Sequence, residues 1–151
     1  IHIVNWEKDS VRFEIGIVVK GNKQSKIQKN FEMIDFQFTK TDYYVIAETT
    51  IGSNQNSFWE EVTDLAQTIF NSSSRTEINY KVYMPRRCPL KIDNKFGNVY
   101  IGDHQGPADI VLSNGDMKAN AFYSDLKLDF DFGSVNIRVI LKPTQLSGCR
   151  S

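Results

Sequence analysis

The sequence predicts a mainly β fold: N-terminal strands with one or two short helices, then a β-solenoid, or β-helix-like, C-terminal half. Three observations carry this. Gly97, Gly115 and Gly133 are spaced by 18 residues and again by 18. The residues around them agree in character from one glycine to the next. Elsewhere, apolar residues recur mostly at period two, the spacing of a half-buried strand.

The agreement around the glycines is specific. Leu90, Ala108 and Leu126 stand seven positions before them, and Ile92, Ile110 and Leu128 five before. Val99, Met117 and Val135 stand two after, and Ile101, Ala119 and Ile137 four after. Asn98, Asp116 and Ser134, all small and polar, follow directly. Each copy thus reads as strand, glycine corner, strand, with inward residues alternating on both sides. Glycine can take the positive φ of the corner, and the polar neighbour can bond the local backbone. One copy cannot bury its apolar face alone, so the copies must stack. The competing arrangement is an up-and-down antiparallel sheet with hairpins of equal length.

The N-terminal elements follow in order. Ile1 and Ile3 begin a strand, and Val11, Phe13, Ile15, Ile17 and Val19 make a second. A helix over about 23–33 is marked by Ile27, Phe31 and Ile34 on one stripe. Lys20, Lys23, Lys26 and Lys29 recur on its other side. They read as a solvated face in preference to a basic binding surface. Residues 34–39 and 43–50 form a hairpin turning at Lys40-Thr41-Asp42. Residues 57–70 carry a capping box and an apolar stripe (Trp59, Val62, Ala66, Ile69), so a second helix, inserted into the β pattern, is expected. A strand follows over 77–84 and ends at Pro85.

The expected organisation is a single domain, 1–151. Residues 1–87 form a capping part, 88–141 the stack and 142–151 a tail. Ile137, Val139 and Leu141 are candidates to close the far end of the stack.

At 151 residues with 40% hydrophobic and 24% charged positions, the chain is suited to one compact domain. Lys plus Arg and Asp plus Glu are 18 each, so no net field attracts nucleic acid or anionic lipid. Arg86-Arg87 is the one basic pair, too little for a phosphate-tracking groove. No apolar run approaches the roughly 20 residues of a membrane helix. The chain opens on Ile1; either a leader has been removed or the chain starts at the fold, and both suit an exported protein. Cys88 and Cys149 lack CxxC spacing. Two free thiols are the preferred expectation, with a disulfide the alternative in an oxidising compartment.

The runs Asn94-Lys95-Phe96-Gly97-Asn98-Val99-Tyr100-Ile101, Leu112-Ser113-Asn114-Gly115-Asp116-Met117-Lys118-Ala119 and Phe132-Gly133-Ser134-Val135-Asn136-Ile137 carry a family resemblance. So do the opening Ile3 to Val11 and the Ile78 to Pro85 strand. The sequence resembles the bacterial adhesin-like domains of DUF4097 type, related to auto-transporter adhesin head domains of Bacteroidetes. The resemblance implies a β-helix-like fold and export to the cell envelope. It implies no catalytic motif.

No catalytic, cofactor-binding or metal-binding residue is assigned, and no cofactor is expected. His2 and His104 have no companion at metal-ligand spacing, and His104, in Gly102-Asp103-His104-Gln105-Gly106, is expected on a surface turn. If Leu126, Leu128, Phe130 and Phe132 face inward, then Asp129 and Asp131 face outward on one strand, about 6.5 to 7 Å apart. Carboxylates so spaced can serve in polysaccharide cleavage; a charged solvent face is the preferred reading. The leading expectation is a non-enzymatic, exported module that binds a surface glycan or an envelope protein. A carbohydrate-active enzyme using Asp129 and Asp131, and a structural or regulatory envelope domain, are the alternatives. Exposed edge strands could also pair two copies.

Overall fold

The computed structural model describes residues 1–52, 74–141 and 144–147. The fold is mainly β, with several sheets and one short helix. The chain divides into two compact units, 1–15 with 79–151, and 16–78.

The first unit is built on two parallel ladders. β6 (Leu90–Asn94), β8 (Ala108–Asn114), β10 (Leu126–Phe132) and β12 (Thr144–Ser147) form a four-stranded sheet. β7 (Val99–His104), β9 (Met117–Phe122) and β11 (Val135–Ile140) form one side of a six-stranded sheet. Its other strands are β1 (His2–Trp6), β5 (Ser74–Pro85) and β2 (Arg12–Gly21); of the last two, residues 79–85 and 12–15 belong to the first unit. The sheet order is β11-β9-β7-β1-β5-β2.

The register is set by the 18-residue spacing. Leu90 pairs with Ala108, Ala108 with Leu126 and Leu126 with Thr144. Val99 pairs with Met117, and Met117 with Val135. All of these pairings are parallel, whereas a hairpin meander would make them antiparallel. β12 lies within 142–151, expected to be a tail; its backbone continues the ladder by one more 18-residue step. In the sequence the glycine after that segment is Gly148, which is off the 18-residue spacing that would fall on Ser151.

Alternation explains the packing. Leu90, Ile92, Ile110, Leu112, Leu126 and Leu128 from one sheet, and Ile3, Val82, Val99, Ile101, Met117 and Ala119 from the other, fall in a single apolar cluster. Ala108, Ala119 and Ala121 are accompanied on neighbouring positions by the larger Met117 and Phe122. Such exchange of volume keeps a close-packed interior filled.

At the corners the glycines take positive φ, but the polar residues beside them bond backbone 18 residues away and not the local chain. Gly97 and Gly133 have φ of +99° and +135°. A Cβ built on Gly133 would fall on the carbonyl oxygen of Gly115, and one on Gly115 would fall on that of Gly97. Beside them, the Asp116 N–H donates to Asn98 Oδ1 (2.9 Å), and the Ser134 N–H donates to Asp116 Oδ1 (3.0 Å). The Ser134 hydroxyl donates to the same oxygen at 2.7 Å. These bonds hold the Asp116 carboxyl below its ordinary pKa.

Three expectations need correction. His104 is not a surface turn residue: it is fully buried, because the register places it opposite Phe122 in the interior. Phe132 does not face the core. Leu126 and Leu128 are buried and Phe130 half-buried, but Phe132, next to the corner, is 59% exposed. Val139 and Leu141 do not close the far end, since Leu141 is 61% exposed and Ile137 alone of the three is half-buried.

In the second unit, α1 (Gln24–Glu32) precedes a hairpin of β3 (Ile34–Lys40) and β4 (Val45–Ile51). The pairing is antiparallel, with Phe38 opposite Ala47. Thr41 shapes the turn: its Oγ1 accepts from the N–H groups of Tyr43 (3.2 Å) and Tyr44 (3.1 Å). The helix expected over 57–70 lies outside the described residues. No helix among the described residues is long and apolar enough to cross a membrane.

Candidate functional site

Two solvent-facing sheet surfaces of the first unit can carry function. The outer surface of the four-stranded sheet holds the carboxylates singled out from sequence. Asp129 is half-buried and Asp131 exposed on β10. The register sets Asp129 between Val111 and Ser147. Lys91, Asp109 and Lys127 form the row beside it, with Lys127 Nζ 4.0 Å from Asp109 Oδ2. Charges of both signs alternate along this ladder. The geometry brings no second acidic residue opposite either carboxylate on the neighbouring described strand.

The outer surface of the six-stranded sheet is chemically different. Residues at the same level on five adjacent strands are Asn136, Lys118, Tyr100, His2 and Lys81. All five are exposed. Parallel pairing produces this row, because strands with matched register hold equivalent side chains at one height, about 4.8 Å apart. His2 and Tyr100 meet edge to face with ring centroids 6.3 Å apart. The Tyr100 hydroxyl accepts from Asn98 Nδ2 at 3.2 Å.

Beside Lys81, two positions on, stands Tyr83, with Trp6 packed on it at 5.4 Å between centroids. Trp6 Nε1 donates to the Ser10 carbonyl (2.7 Å), fixing the ring against the 6–10 turn. Cations ride on both rings: Lys8 Nζ lies 5.2 Å from the Trp6 ring and Lys81 Nζ 5.0 Å from the Tyr83 ring. Arg12 lies 5.7 Å from the Tyr83 ring and is also ion-paired to Glu14 at 2.7 Å. The Tyr83 hydroxyl donates to Glu14 (3.3 Å). Tyr83, through a side-chain hydrogen bond and its charge, holds the Lys81 pKa above the ordinary lysine value. Arg86 pairs with Glu7 at 3.0 Å. Among the described residues, neither Lys8 nor Lys81 meets a carboxylate at ion-pair distance.

Sequence reasoning missed this surface. Its members come from four separate stretches, 2–12, 81–83, 100–118 and 136, and no local spacing joins them. The signal available was slight: His2 and Trp6 on β1, and Lys81 and Tyr83 on β5, stand at alternate positions.

His104 is a buried polar group away from this surface. Neither ring nitrogen has a hydrogen-bond partner among the described residues. Burial lowers its pKa, against the smaller opposing pull of the Pro107 and Cys88 backbone. Its ring meets Phe122 edge to face at 6.2 Å. Cys88 is half-buried against the core, and Cys149 lies outside the described residues. No group of three or more metal-ligating side chains occurs among the described residues.

Comparison with known protein families, with curated proteins and with solved structures found no match.

Proposed function

We propose that the protein is a non-enzymatic, exported cell-envelope module. Its strand–corner–strand segments form a short β-solenoid, and it binds a surface glycan through the outer face of β7, β1 and β5. One observation carries this reading: aromatic rings from three strands, Tyr100, His2 and Tyr83, stand on one solvent-facing sheet surface with Lys81 among them. Aromatic faces provide apolar area for the C–H faces of sugars, and flanking polar groups give orientation. The 18-residue parallel register and the stacked glycine corners support the solenoid. The resemblance to adhesin-like domains supports the envelope location, while a fold alone names no activity.

The test is a binding screen against neutral and acidic surface glycans, with analysis of the products. Binding without cleavage, weakened by Tyr100→Ala and by Tyr83→Ala, is the expected result. Cleavage of a glycosidic bond that is abolished by Asp129→Asn would replace the binding module with an enzyme.

A further inference from the structure

One level row on the six-stranded sheet differs in charge from the outer face of the four-stranded sheet, and the difference points to a ligand class. The four-stranded sheet presents Asp93, Asp109, Asp129 and Asp131 with Lys91 and Lys127. The level row on the six-stranded sheet, Asn136-Lys118-Tyr100-His2-Lys81, contains two lysines, a phenol and an imidazole and itself no carboxylate. Glu14 acts on Lys81 and Asp116 on Lys118 from neighbouring positions, neither at ion-pair distance. Lys118 and Lys81 stand three strand spacings apart, about 14 Å at about 4.8 Å per strand. Between them lie two rings, so the row reads cation, aromatic, aromatic, cation along one straight line.

We infer that this row is a binding track for an acidic glycan, a polymer of uronate-type sugars lying across the strands. Lys118 and Lys81 would each take a carboxylate, and Tyr100 and His2 would support the sugar rings between them. The inference rests on the proposed glycan-binding face and names its ligand class. Charge complementarity distinguishes this occupant from a neutral glycan. Neutral sugars would use the rings and could accept hydrogen bonds from the ammonium groups, but gain no charge pairing from them. The 14 Å span matches a short run of sugars, each ring covering roughly one strand spacing. Lys81 is steadied for this role by the Tyr83 ring beneath it, which reduces the freedom lost when it orders on a ligand.

The test uses the full chain and a defined hexamer of galacturonic acid, titrated by calorimetry. The same hexamer with its carboxylates methyl-esterified keeps the sugar backbone and removes the charge. Binding of the acid form is expected, at least tenfold tighter than the ester and weakened by added salt. The double variant Lys81→Gln/Lys118→Gln is expected to lose at least tenfold. Lys91→Gln/Lys127→Gln, on the other sheet, is expected to bind as the parent does. Equal affinity for acid and ester, with loss on Tyr100→Ala, would overturn the acidic class and leave glycan recognition standing. Absence of binding to any saccharide would overturn both. An oligothymidylate of equal charge binding as tightly as the uronate hexamer, through the same two lysines, would overturn the glycan in favour of a phosphate polymer. An unchanged affinity in the Lys81→Gln/Lys118→Gln protein would overturn the track itself.

Discussion

Alanine at the corner glycines separates two costs that the fold combines. At Gly97, φ is +99° and a Cβ would meet nothing within 4 Å. Gly97→Ala therefore incurs only the backbone strain of a side chain in a positive-φ region, about 1–3 kcal/mol. At Gly133, φ is +135°, and the same Cβ would fall on the Gly115 carbonyl oxygen. That atom is backbone and cannot rotate away. Relief requires the corners of two neighbouring strand pairs to separate, weakening the Gly115 N–H bond to the Phe132 carbonyl (3.1 Å) and the adjoining Met117 N–H bond to the Ser134 carbonyl (2.8 Å). With roughly 1 kcal/mol net for each bond lost, Gly133→Ala should cost about 2 kcal/mol more than Gly97→Ala. Gly16→Ala is the control, since no atom lies within 4 Å and its φ is not positive; it should be neutral or slightly stabilising. Urea unfolding at constant m-value gives all three differences. If Gly97→Ala and Gly133→Ala destabilise equally within about 0.5 kcal/mol, the corners are not in contact and the reasoning fails.

Other outcomes follow from the same structure. His104 is buried with a lowered pKa, so the folded protein holds it neutral while the unfolded chain protonates near its ordinary value of about 6.5. Its contribution is fully present above that pH and is lost as the pH falls from there towards the folded pKa, by up to about 1.4 kcal/mol per unit. His104→Leu should flatten this part of a stability–pH profile, and an unchanged slope would assign the acid sensitivity to other groups. Leu128, with no exposed surface, should cost about 2–5 kcal/mol as Leu128→Ala by thermal or urea unfolding. Asp116→Asn, which copies the residue at 98, should keep the acceptor for Ser134, whereas Asp116→Leu should lower the urea midpoint. Asp131→Asn should leave glycan affinity unchanged in calorimetry, because that carboxylate lies on the other sheet.

The sequence made the inward positions legible wherever alternation was uninterrupted. Ile92, Ile110 and Leu128 stand at one offset and prove to be buried in register. Alternation breaks at corners, so period two extended to the corner places Phe132 inward, where it is exposed, and the turn pattern places His104 outside, where it is buried. An extended comparison of offsets would have shown Phe122 and Ile140 at the spacing of His104, a mostly apolar position. β12 was illegible because four residues carry too little pattern, and the position 18 after Gly133 is Ser151, not glycine. The aromatic row was hidden for a different reason. β1 enters the sheet between β5 and β7, so His2 meets Tyr100 and Lys81 from positions about 80 to 100 residues distant. Such a long-range parallel pairing leaves no local signature.

The 18-residue parallel register is most directly tested by disulfide trapping between exposed positions, in a protein whose native cysteines are replaced. The register sets Asn136 opposite Lys118. A hairpin folded at Gly133-Ser134 would instead set Asn136 opposite Asp131. The Lys118→Cys/Asn136→Cys protein should oxidise rapidly to an intramolecular disulfide with stability retained, and Asp131→Cys/Asn136→Cys should not. The reverse pattern, fast trapping of the Asp131 and Asn136 pair alone, would contradict the parallel ladder and the binding row proposed on it.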